Sequence, residues 1–89
     1  MKAIVTVIGK DQVGIIAGVC NTLADCNINV LNISQTVMDG FFTMMMVVDL
    51  ALCEKAFDQI GVILKDYGEN RGLSIRIQRE DIFDAMHKI

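Results

Sequence analysis

The dipeptide Asp39-Gly40 sits between two runs of strand-forming residues, 29–38 and 41–50, and no other stretch restricts the fold of this chain as much. Asp and Gly both accept positive φ, which a two-residue hairpin turn requires. Such a turn also sets the register: Met38 faces Phe41, Val37 faces Phe42, Gln35 faces Met44, Ile33 faces Met46 and Leu31 faces Val48. One face of the hairpin then carries Leu31, Ile33, Val37, Phe42, Met44, Met46, Val48 and Leu50, and must be covered by helices. The other mixes Asn32, Ser34, Thr36, Thr43 and Asp49 with Val30, Met38, Phe41, Met45 and Val47, too apolar a set for ordinary solvent-facing sheet.

Upstream, residues 3–8 are β-branched and nearly all apolar, as a central strand covered on at least one face would be. Gly9 breaks the run, and Lys10-Asp11-Gln12-Val13-Gly14 leads into an apolar helix. Asp11 is placed to accept from the free N–H groups of the first helical turn, and Gly14 lets a ligand or another backbone approach those amides. A helix start of this kind is a seat for a carboxylate or other anion. The same residues would also make a plain capped strand-to-helix connection.

Residues 13–26 place Ile16, Val19, Cys20, Leu23 and Ala24 on one helical stripe, and Asn27 suits the left-handed position that ends a helix. A second helix is expected over residues 54–67, stopped by Gly68 or Gly72. Residues 73–78 alternate Leu73, Ile75 and Ile77 with Ser74, Arg76 and Gln78, the pattern of a half-buried strand. Asp81 caps an expected C-terminal helix with an apolar stripe of Ile82, Phe83, Met86 and Ile89. The order β-α-β-β-α-β, with right-handed crossovers, puts both helices on one side of an antiparallel sheet of order 4-1-3-2. This is a single α+β domain over residues 1–89, a ferredoxin-like βαββαβ sandwich with an extra C-terminal helix.

At 89 residues, with 53% of them hydrophobic and a mean hydropathy of +0.46, the chain has more apolar surface than a monomer of its size hides. Some of it is expected in a subunit interface. A net charge of −3, with the eight Lys and Arg scattered, argues against nucleic acid. No leader and no run long enough to span a bilayer is evident, so the expected location is cytoplasmic, with no membrane partner. Cys20, Cys26 and Cys53 are odd in number and lack metal-ligand spacing, and neither a metal nor another cofactor is expected. His87 has no sequence-evident acid or nucleophile to work with. RNA-recognition modules share the topology, but the first strand offers no aromatic for stacking. An acylphosphatase on this topology would want an arginine in the first loop, which holds only Lys10.

The segments Asp11-Gln12-Val13-Gly14-Ile15-Ile16-Ala17-Gly18-Val19, Leu23-Ala24, Asn27-Ile28-Asn29-Val30 and Ile33-Ser34-Gln35-Thr36 resemble the ACT domain, a small regulatory module often attached to amino-acid-metabolising enzymes. With Phe42-Thr43-Met44-Met45 and Ile82-Phe83-Asp84-Ala85-Met86, the chain is similar to stand-alone ACT proteins related to the glycine-cleavage repressor. The resemblance implies a non-enzymatic homodimer, or a higher oligomer, with an amino-acid effector at the interface. The residues it assigns to the effector are Asp11, Val13, Gly14 and Ile15 in the first loop and Asn29 at the start of the second strand. Two positions depart from the family pattern: Val13 stands where Pro is common, and Asp11 replaces a ligand-binding Asn. An acidic Asp11 favours an ammonium over a carboxylate. The alternative role is a ligand-free module that docks on an enzyme or transcription factor.

Overall fold

The computed structural model describes residues 1–81. Strand β1 (Lys2–Lys10) leads to helix α1 (Ile15–Asp25), then β2 (Asn29–Met38), β3 (Phe41–Asp49), helix α2 (Phe57–Glu69) and β4 (Leu73–Arg79). The strands form one antiparallel sheet in the order β2-β3-β1-β4, the expected arrangement, with β1 and β3 central. The expected C-terminal helix, and His87 with it, lies outside the described residues.

Asp39 (φ 53) and Gly40 (φ 79) make the expected two-residue turn, and the register holds from Met38↔Phe41 back to Asn32↔Val47. It then slips. Val30, rather than Leu31, faces Val48, because a bulge between Val30 and Asn32 inserts Leu31 as an extra residue. Val30 and Leu31 are both apolar, so the side-chain pattern does not tell which of the two faces Val48.

The helix-side face buries Val5, Val7, Met44, Met46 and Val48 against Val19 and Leu23 of α1 and Ile60 and Leu64 of α2. Among the described residues the buried set contains no polar or charged side chain. On the edge strand that face is not fully covered: Leu31, Ile33 and Val37, expected beneath helices, are 47%, 39% and 54% exposed. β2 is an edge strand of the sheet and lies at the margin of the helix layer.

Helix α1 ends as a Schellman motif. Asn27 (φ 57) occupies the left-handed position, Ile28 N–H donates to Leu23 O at 3.0 Å, and Asn27 N–H donates to Ala24 O at 2.9 Å. Helix α2 begins three residues later than the sequence suggests. The Gln59 side chain accepts from the Ala56 N–H at 3.0 Å and fixes Ala56 as the residue before the helix. Gly68 does not stop α2. It lies inside the helix, where a Cβ would meet the Leu73 carbonyl oxygen at 2.6 Å, and Gly72 (φ 69) makes the turn into β4.

Candidate functional site at the start of the first helix

Three connections meet at one end of the sheet. The β1–α1 loop is held against the hairpin turn by Asp11 N–H donating to Gly40 O at 2.8 Å. On its other side the Gln12 side-chain amide donates to Arg71 O at 3.0 Å, tying the loop to the α2–β4 turn. Gly9 lets β1 pass close to that turn, since a Cβ there would lie 2.6 Å from Leu73 Cδ2 and 3.1 Å from Gly72 O.

Gly14 then takes φ 87 as the residue before α1, and its carbonyl accepts from Gly18 N–H at 2.9 Å. No side chain caps this helix start. Asp11, expected as the cap, is three residues upstream of Gly14, and its own backbone is drawn toward Gly40 instead. The first-turn N–H groups of Ile15, Ile16 and Ala17 therefore lack intrahelical partners, as every helix start does. Apart from Gly14 itself and its two chain neighbours, no atom lies within 4 Å of where a Gly14 Cβ would be.

In front of these amides lies an open cleft of about 420 Å³. Ile15, Ile16 and Ala17 of α1 form one wall, Gln35, Thr36 and Val37 of β2 the other, with Phe42 beneath and Asp11, Gln12 and Gly14 at the mouth. Asp11 is the one charged side chain among them. The cleft joins hydrogen-bond donors, a single carboxylate and an apolar wall, a combination suited to a small zwitterion with an apolar portion.

Of the residues singled out in the sequence, Asp11, Gly14 and Ile15 border this cleft, and Ile15 is also part of the buried core. Val13 projects fully into solvent at the tip of the loop and does not line it. Asn29 lies at the other end of β2, in a separate depression with Asn27, Asp49 and Leu52. Asn29 faces Asp49 and Val37 faces Phe42, seven ladder positions apart on β3, which is about 24 Å at strand spacing. One copy of the chain does not bring Asn29 to the Gly14 cleft. Gln12, Gln35, Thr36, Val37 and Phe42 were not singled out. Gln35 carried a signal: it interrupts the otherwise apolar helix-side face of β2.

At the far end of the fold, burial raises the pKa of Cys26 above the ordinary thiol value, with the nearby Cys53 thiol adding to the shift and Lys55 opposing it. Cys20, Cys26 and Cys53 are all free. Among the described residues no three His, Cys, Asp or Glu side chains gather as a metal site, and no helix is long and apolar enough to cross a membrane.

The ACT domain family model matches residues 2–78, from the first strand to the last. The chain belongs to the ACT domain family. It is 55% identical over 89 residues to a UPF0237 protein of Listeria monocytogenes, covering 100% of both chains. Among solved structures, an ACT domain protein from Streptococcus pneumoniae superimposes with a TM-score of 0.83 at 42% identity, covering 98% of each chain. A putative glycine cleavage system transcriptional repressor shares the fold, with a TM-score of 0.73 at 16% identity over 86% of this chain and 44% of that one. The ACT family was thus legible in the sequence motifs.

Proposed function

We propose that this ACT module is a non-enzymatic, cytoplasmic sensor that binds an amino acid or similar small metabolite between two copies of the chain and signals its occupancy to a partner. The observation that carries this reading is the uncapped first turn of α1, opening beside Asp11 onto a cleft with an apolar wall. An amino acid would set its carboxylate on the N–H groups of Ile15, Ile16 and Ala17, its ammonium on Asp11, and its side chain against Ile16 and Val37. Asn29 would reach such a ligand only from a second copy. Occupancy would then favour one arrangement of the pair over another, which is how a site of this size influences a partner. Calorimetric titration of the dimeric protein with each of the twenty amino acids tests the reading. Heat of binding from one or a few supports it, and silence from all twenty in a folded dimer overturns it.

A second reading is a ligand-free docking module, favoured by the apolar side chains on the sheet face away from the helices, where Ile8, Met38, Phe41 and Met45 are exposed. A protein partner held stoichiometrically in metabolite-free extract would support this reading over the first.

A further inference from the structure

Alternation along the strands gives the sheet two faces, and α1 and α2 cover only one of them. Val5 and Val7 of β1 and Met44 and Met46 of β3 belong to the helix-side core, so Ile4 and Ile8, with Met45 and Val47, point to the other face. Among the described residues, every buried apolar side chain belongs to that core except Ile4. Ile4 is 7% exposed on a face where Ile8 is 47% and Met45 39% exposed. Its neighbours across the ladder, Val47 and Gln78, are themselves half-buried. Burial on this face is concentrated at one end.

The chain leaves the sheet at that same end. Arg79, the last residue of β4, faces Ala3, and Gln78 faces Ile4. Glu80 and Asp81 follow at once with helical backbone, and Arg79 pairs with Asp81 at 2.8 Å. Continued as a helix, the sequence beyond sets Ile82, Phe83, Met86 and Ile89 on one stripe, with Glu80, Asp84, His87 and Lys88 opposite. A stripe of four large apolar side chains favours a surface that covers it. The helix-side face is already taken by α1 and α2. The family pattern, matched over residues 2–78, ends before this segment and gives it no role.

We propose that residues 82–89 continue this helix and lie across the Ile4 end of the open face of their own chain, with Ile82, Phe83 and Met86 seated on Ile4, Val47 and Met45. The reach agrees with this. Residues 80–89 span about 15 Å as a helix, and β3 lies across β1 from β4, two strand spacings or about 10 Å away. An oblique crossing of that length passes over Ile4, which faces Val47, and arrives at Met45, which faces Thr6. It stops short of Phe41, which faces Lys10 at the far end of β1. The segment therefore covers the part of the face next to the exit of β4 and leaves Met38 and Phe41 to a partner. This inference goes beyond the sensor and docking readings and depends on neither.

Nuclear Overhauser spectra of the unmodified chain test it. Cross-peaks from the Phe83 ring protons to the methyl groups of Ile4 and Met45 are the expected result. Their absence overturns the proposal and leaves the face to some other occupant. In a sample mixing methyl-labelled with unlabelled copies, filtered cross-peaks from unlabelled Phe83 to labelled Ile4 would show that the stripe covers a second copy, and would overturn the same-chain placement. Phe83→Ser supplies an independent check. With the circular dichroism of the sheet unchanged, it is expected to raise the fluorescence of anilinonaphthalene sulfonate, a dye that binds exposed apolar surface, by about threefold. Unchanged dye fluorescence in a folded Phe83→Ser protein contradicts the proposal.

Discussion

At the level of single residues, three glycines do three different things. Gly14 takes a positive φ with open space around it, whereas Gly68 has an ordinary helical backbone with no room for a side chain. Gly61 has neither constraint, since a Cβ there would touch only Ile77 Cγ2 at an ordinary 3.9 Å. Gly61→Ala should therefore stabilise the fold by about 0.5–1 kcal/mol in urea denaturation, the difference in helix propensity. Gly68→Ala should destabilise by roughly 1–3 kcal/mol, because the Leu73 carbonyl is backbone and does not swing aside. Asp11 gives a sharper contrast. The sequence offered it as a helix cap, and the structure leaves the helix uncapped. Asp11→Asn should accordingly change stability by less than about 0.5 kcal/mol, and should weaken any ammonium-bearing ligand by on the order of tenfold. A loss of more than 1 kcal/mol, the usual value of a cap, would show that the carboxylate supports the helix after all. Cys26, whose pKa burial raises, should alkylate at higher pH than an unfolded thiol, with Cys20 and Cys53 modified first on titration with iodoacetamide.

Among the elements, those with a local chemical reason were readable in advance. Asp39-Gly40 dictated the hairpin, and Asn27 dictated the end of α1 by accepting the left-handed conformation. Asn27→Val should cost about 1–2 kcal/mol in the same denaturation assay, as a β-branched residue resists φ 57, whereas Asn27→Gly should be close to neutral. The bulge at Leu31 was not readable, because Val30 and Leu31 are both apolar and either suits the place opposite Val48. Neither was the start of α2, which depends on a single Gln59 hydrogen bond rather than on periodicity. The exposure of Ile33 and Val37 goes with the place of β2 at the edge of the sheet, and a hydrophobic pattern cannot report that.

Across the whole molecule, the fold and family were legible because every level of the sequence agreed on them, while the site was legible only in part. Asp11, Gly14 and Ile15 meet at one cleft because they share a loop. Asn29 belongs to the same proposed site only if the molecule that binds is two chains, a relation that no spacing within one sequence encodes. The central claim is that a small zwitterion sits on the open first turn of α1 at the seam between copies. Amide NMR of the labelled protein during addition of each of the twenty amino acids tests this most directly. The account predicts that one or a few of them shift the Ile15, Ile16 and Ala17 amides together with the Asn29 side-chain amide. If all twenty leave the first turn of α1 unmoved, the claim is contradicted.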